Sequence, residues 1–194
     1  MKRKYIKLFL ITLLMVFCIA TPCYAAGKVT KVTSKTFYPG NYKQYTIIYG
    51  KNNSGKIIWR YKSNKYTATE LDAVSYTVQK DNVYILENNK FIRLNKQTGK
   101  CIVRKNVKTS IWGATMKIDS KGSLYAQGYY GDTVYKFNKS GKILWKRKIK
   151  NCYWPYKMSL SNNKLTVYYD GENKYYKAML SASNGKVIKY YKHK

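Results

Sequence analysis

Acids are scarce in this 194-residue chain: eight Asp and Glu stand against 38 Lys and Arg, for a formal net charge of +30. General acid–base chemistry needs a positioned pair of titratable groups. The carboxylates are Glu70, Asp72, Asp81, Glu87, Asp119, Asp132, Asp170 and Glu172, scattered along the chain. Glu70 and Asp72 share one face if their stretch is a strand, where pairing with lysine is the simpler role. Histidine is rarer still. His193 is the one copy and stands one residue from the end, so a Ser–His–Asp triad would run through a terminal tail. Cysteine occurs four times without a CxxC spacing, which gives zinc no ligand set. No Gly-rich phosphate loop opens a helix, and no stretch beyond the N-terminal segment carries a helical period with caps. Prolines number three. These absences leave no catalytic residue, no metal ligands and no cofactor site to assign. With no recognition helix or RNP-type motif, base-specific nucleic-acid binding is excluded too.

Long apolar runs are missing except at the start. Lys2, Arg3, Lys4 and Lys7 precede the apolar run Leu8–Ala20, and small residues follow at Ala25 and Ala26. This is the pattern of a cleaved signal peptide over residues 1–25. The run is short for a membrane span, so no transmembrane segment is expected after cleavage. Cleavage removes Cys18 and Cys23 and leaves Cys101 and Cys152. In an exported chain that pair is a possible disulfide, although the two occupy different positions in the repeat described next.

The chain is otherwise rich in what cores and strands need. Hydrophobic residues make up 45%, aromatics 16%, and tyrosine alone occurs 22 times, a composition that favours strands and argues against disorder. A Gly-Lys step followed by an apolar strand occurs four times, at Gly55, Gly99, Gly141 and Gly185, with intervals of 44, 42 and 44 residues. That is the period of a four-stranded propeller blade. Before each of the last three steps lie alternating strands joined by Gly, Asn and Ser turns, the signature of hairpins. Residues 62–105, 106–148 and 149–194 read as three full units, and 28–61 as an incomplete first one. The fold class expected is all-β: a propeller or partial propeller of about four four-stranded blades, over 26–194.

The phrases Phe91-Ile92-Arg93-Leu94-Asn95-Lys96-Gln97-Thr98-Gly99-Lys100 and Val134-Tyr135-Lys136-Phe137-Asn138-Lys139-Ser140-Gly141-Lys142-Ile143-Leu144-Trp145 resemble the PQQ-like β-propeller repeat. That repeat builds quinoprotein dehydrogenases and the outer-membrane assembly lipoprotein that shares their fold. The resemblance covers residues 45–194 and implies a blade architecture. It implies an aromatic docking position four residues after each repeat glycine, filled here by Trp59 and Trp145 but by Val103 and Lys189 in the other two copies. The family's Asp before the turn is replaced by Asn95 and Asn138. The adjacent cysteine pair that the enzymes use near their quinone has no counterpart, so the resemblance carries the fold and not the cofactor.

Two further tryptophans, Trp112 and Trp154, each follow a repeat glycine by 13 residues, at the start of the innermost strand of successive blades. With Tyr153 and Tyr156 they are the candidate ligand-contacting aromatics; aromatics among lysines suit stacking and cation–π contacts. Core filling competes with that role. The charge points to a polyanion. The reading that results is a secreted or cell-envelope-associated, non-catalytic binding or scaffold module that engages an anionic envelope polymer or a protein. The alternatives are a quinone- or sugar-dependent propeller enzyme and a truncated propeller without independent function.

Overall fold

In the computed structural model, residues 27–67, 73–109, 111, 113–171 and 174–193 are described. Among them every regular element is a strand, and the strands fall into four antiparallel sheets. The first contains β1 (Lys31–Gly40), β2 (Lys43–Lys51) and β3 (Ile57–Lys62), with the short β4 (Tyr66–Thr67) continuing along β2. The second runs β5 (Val74–Gln79), β6 (Asn82–Glu87), β7 (Lys90–Asn95), β8 (Cys101–Asn106). The third runs β9 (Thr115–Ile118), β10 (Leu124–Gln127), β11 (Thr133–Phe137), β12 (Ile143–Lys148). The fourth runs β13 (Trp154–Ser161), β14 (Lys164–Asp170), β15 (Tyr175–Ser181), β16 (Val187–Lys192). The expectation of an all-β array of four blades holds. Within the last three, strand follows strand in simple meander order.

The turns explain the meander. Asn95 Oδ1 accepts the backbone N–H groups of Gln97 and Thr98 at 2.9 and 3.0 Å. Asn138 Oδ1 accepts those of Ser140 and Lys142 at 3.0 and 2.9 Å. In both turns a short side-chain oxygen gathers the backbone amides. Each repeat glycine then takes a positive φ, between 69° and 80°. Beside each of these turns the pairing of the last two strands shifts register, as at Arg93/Leu94 and Lys136/Phe137. This bulge twists the last strand of the blade.

Each sheet buries its alternate residues against its neighbour. Ile48, Trp59 and Tyr61 meet Val83, Ile85 and Ile92 between the first and second blades. Tyr84, Leu86 and Phe91 meet Leu124, Ala126 and Phe137 between the second and third. Tyr125, Val134 and Ile149 meet Met158, Val167 and Leu180 between the third and fourth. The innermost strands β5, β9 and β13 lie side by side.

An aromatic ring seats each blade on the glycine of the next. Trp59 Nε1 donates to Lys96 O at 2.7 Å, and a Cβ on Gly99 would lie 2.6 Å from its indole. Trp145 Nε1 donates to Ala182 O at 3.3 Å, and a Cβ on Gly185 would lie 2.7 Å from that ring. At the remaining junction Phe91 from β7 covers Gly141, again at 2.7 Å from a would-be Cβ. Val103, at the repeat's own docking position, packs beside the same cluster.

The two cysteines stand apart, as their different repeat positions suggest. Cys101 opens the edge strand β8 and is exposed, its thiol directed to Val103 O at 3.4 Å. Cys152 is buried between the third and fourth blades, where Gln127 Nε2 donates to its sulfur at 3.0 Å. Both are free thiols; a blade edge and a core between two other blades cannot meet strict disulfide geometry. Burial pushes the Cys152 thiol up to about 12, against a small opposing pull from the Gln127 hydrogen bond. The thiolate is the reactive form. At pH 8 a maleimide is expected to modify Cys101 at least about a hundredfold faster than Cys152, as read by peptide mass mapping. Equal rates would show that the core around Cys152 opens readily.

Candidate functional site

The structure distributes the candidate residues unevenly. Trp112 lies outside the described residues, as do Glu70, Asp72, Glu172 and Asn173. Tyr153, Trp154 and Tyr156 are all exposed, at 43%, 45% and 56%, so they do not fill a core. Trp154 and Tyr156 belong to β13, the innermost strand of the fourth blade, and Trp154 pairs with Asp170 across to β14. A bulge between Pro155 and Lys157 inserts Tyr156 into this strand.

That strand leads onto the face of the fourth blade turned away from the third. Because Met158, Val167, Ala178 and Leu180 point into the shared core, their alternates point outward. The register places Lys157 opposite Tyr168, Tyr168 opposite Lys177, and Lys177 opposite Tyr191. One cross-strand row therefore reads Lys–Tyr–Lys–Tyr over all four strands, a span of about 14 Å at the usual strand spacing. The ammonium groups lie over the rings. Lys157 Nζ stands 5.4 Å from the Tyr168 centroid, and Lys177 Nζ stands 5.8 Å from Tyr168 and 4.2 Å from Tyr191. Lys189, in the next row, lies 5.0 Å from Tyr191. Each exposed cation–π contact contributes about 0.5–1 kcal/mol, which biases a long side chain toward the ring.

A second bulge, between Tyr175 and Lys177, brings Tyr176 onto this face, 6.5 Å from Tyr191 and 5.1 Å from His193 between ring centroids. Beside the row a depression of about 560 Å³ is lined by Tyr156, Asp170, Tyr176, Lys189 and Tyr191 among others. Lys189 holds the repeat position that carries tryptophan in the first and third blades. Here a cation takes the place of the docking ring.

The first blade repeats the theme. On its face turned from the second blade, Phe37 and Tyr45 stack at 5.1 Å, with Lys35 over Phe37 at 5.1 Å and Lys62 over Tyr45 at 4.6 Å. Gly55, the glycine seat of this blade, has open space where a Cβ would stand. Both outer faces of the array are thus cationic where the inner ones are apolar.

Three of the described acids, Asp119, Asp132 and Glu87, are engaged structurally. Asp119 Oδ1 accepts the N–H groups of Lys121 and Ser123 at 3.0 and 2.8 Å, and Oδ2 takes the Tyr125 hydroxyl at 3.1 Å. Burial alone would raise this carboxyl; the bonds from Ser123 and Tyr125 and the Lys136 charge hold it below the usual carboxylate range. Asp132 forms a 2.9 Å ion pair with Lys148. Glu87 is buried and accepts hydroxyls from Tyr61 and Tyr66. Among the described residues no three His, Cys, Asp or Glu are grouped to hold a metal.

Sequence reasoning missed Lys177, Tyr168, Tyr191 and Glu87. The first three had a signal: a tyrosine pair recurs in three successive strands of one unit, at 168–169, 175–176 and 190–191, flanked directly by lysines in the last two.

The architecture is that of stacked propeller blades, and comparison with solved structures agrees. The chain is similar to BamB from Moraxella catarrhalis, with TM-score 0.53 and 16% identity over 83% of this chain and 51% of that one. It is similar to virginiamycin B lyase from Staphylococcus aureus, with TM-score 0.53 and 18% identity over 84% and 60%. It is also similar to the Pan2 WD40 domain of Neurospora crassa, with TM-score 0.54 and 12% identity over 88% and 51%. The chain spans between 51% and 60% of the length of these three proteins. At such identities the likeness is one of fold. No family model and no curated relative matches the sequence.

Proposed function

We propose that this chain is a secreted, non-catalytic binding module built of PQQ-like blades, which engages an anionic polymer of the cell envelope. The observation that carries the reading is the pair of outer blade faces on which lysines are held over aromatic rings. A net charge of +30 adds long-range attraction, which salt screens. The leader-like N-terminal segment supports a polymer outside the cytoplasm.

The test is retention of the purified chain on isolated cell envelope in low and then high salt. Binding is expected to weaken about tenfold or more between about 50 and 200 mM salt, as displaced counterions dictate. Binding indifferent to salt, or none at low salt, overturns the reading.

A further inference from the structure

We propose that the outer face of the fourth blade binds an acidic glycan, a polysaccharide with acidic groups spaced between neutral sugars. This rests on the polyanion reading above and names its ligand class and site.

Three features of the face select this chemistry. The first is charge complementarity with spacing. Lys157 and Lys177 stand on alternate strands of one row, about 10 Å apart at the usual strand spacing. The rings of Tyr168 and Tyr191 bias their ammonium groups toward this row, so less rotamer freedom is lost when an anion arrives. A row of separated cations suits a polymer whose acids recur at about the length of a disaccharide. It suits polyphosphate poorly, since there the charges crowd together.

The second feature is the carboxylate. Asp170 lines the depression beside Lys189 and Tyr191. Lys189 and Lys192 line the depression as well, so it attracts anions, but the carboxylate opposes a phosphate placed directly against it, whereas a sugar hydroxyl donates a hydrogen bond to a carboxylate. Tyr156, Tyr176 and Tyr191 line the same depression, and their phenolic hydroxyls both donate and accept, which matches a polyol.

The third feature separates the glycan from a nucleic acid. Base stacking uses bare aromatic faces. On this blade Lys157 and Lys177 lie at the Tyr168 ring, and Lys177 and Lys189 at the Tyr191 ring. On Tyr168 and Tyr191 a base could stack only after displacing a cation that its own phosphate needs.

The test uses the full chain and three probes matched in total charge: a linear oligosaccharide of alternating uronic acid and N-acetylhexosamine, polyphosphate, and single-stranded DNA. The oligosaccharide is expected to bind at least tenfold more tightly than either other probe at physiological salt. Lys177→Gln is expected to weaken it about tenfold, while Lys100→Gln, on an exposed turn of the second blade, leaves it unchanged. Asp170→Asn is the decisive variant. It should weaken the oligosaccharide severalfold and strengthen polyphosphate, opposite signs that a merely electrostatic patch does not produce. Equal or tighter binding of polyphosphate or DNA, or an Asp170→Asn change that helps all three probes, overturns the glycan assignment and leaves the polyanion reading standing. If none of the three binds at low salt, both fall together.

Discussion

Truncation of Phe91 to alanine is expected to cost the fold about 3–5 kcal/mol, the range for a buried aromatic in a packed core. Val103→Ala is expected to cost about 1 kcal/mol, because that side chain is only partly buried. By repeat position Val103 is the docking residue of the second blade, but Phe91 is fully buried and covers Gly141 of the third. It also meets Tyr84 edge-on at 6.2 Å and Phe137 at 5.7 Å between centroids. Its loss opens a cavity lined by rings that cannot collapse across a glycine turn. In a chain of this size that loss lowers the melting temperature by about 10 °C or more. Thermal melts of the two variants decide it. A Val103→Ala chain that melts lower than Phe91→Ala would return the docking role to the repeat position.

The Phe91 case shows what a repeat pattern can and cannot convey. The four Gly-Lys steps mark where every blade turns, and the alternation of the strands marks two faces for each. Trp59 and Trp145 could be placed between blades from their shared phase. Phase does not say which of two neighbouring strands supplies the ring when the docking position is small. Phe91 and Val103 lie on adjacent strands, two steps apart in register: Phe91 pairs with Lys105 and Val103 with Arg93. Either could reach the seat, and side-chain volume decided it.

The lysine–tyrosine row was hidden for a related reason. A one-residue slip sends every side chain of a strand to the opposite face. The fourth blade contains three such slips, at Pro155/Lys157, Tyr175/Lys177 and Met179/Leu180. The slip at Met179/Leu180 lies between the last hairpin turn and the row and sets Tyr191 opposite Lys177, while the other two lie just beyond the row at Tyr156 and Tyr176. The exposed Tyr156 and Trp154 were legible as aromatics at a blade's inner strand. Their neighbours Lys177 and Tyr191 come from the last two strands of the blade, and composition alone cannot place them alongside. Glu87 was hidden by distance as well. Its hydroxyl partners, Tyr61 and Tyr66, belong to the preceding blade and lie 26 and 21 residues away. In sequence it is one more isolated acid beside lysine.

Replacement of Glu87 by alanine is expected to cost about 3–5 kcal/mol, as when one partner of a buried polar cluster is removed. The carboxylate is 1% exposed. Its Oε1 takes the Tyr66 hydroxyl at 2.6 Å and the Asn64 N–H at 3.0 Å, and its Oε2 takes the Tyr61 hydroxyl. Lys90 Nζ lies 3.8 Å away. Asn64 and Tyr66 belong to the segment that leaves the first blade, so this cluster clips that segment to the second. Alanine takes the acceptor from the Tyr61 hydroxyl and the Asn64 amide and one partner from Tyr66; Glu87→Gln keeps an oxygen in place and should cost about 1–2 kcal/mol. The clip also sets an alkaline limit. Burial first, then the bond to Glu87 and its charge, push the Tyr61 and Tyr66 hydroxyls well above their ordinary value of 10.0. The unfolded chain gives up these two protons near pH 10, while the folded chain keeps them. The stabilisation is therefore whole below about pH 10 and is lost progressively as the pH climbs above it. Melting temperatures between pH 8 and 11 should fall along such a curve, and less steeply in Glu87→Gln, where the carboxylate charge no longer opposes ionisation. An alkaline fall in the Glu87→Gln variant that matches the wild type would show that burial alone keeps the two hydroxyls neutral.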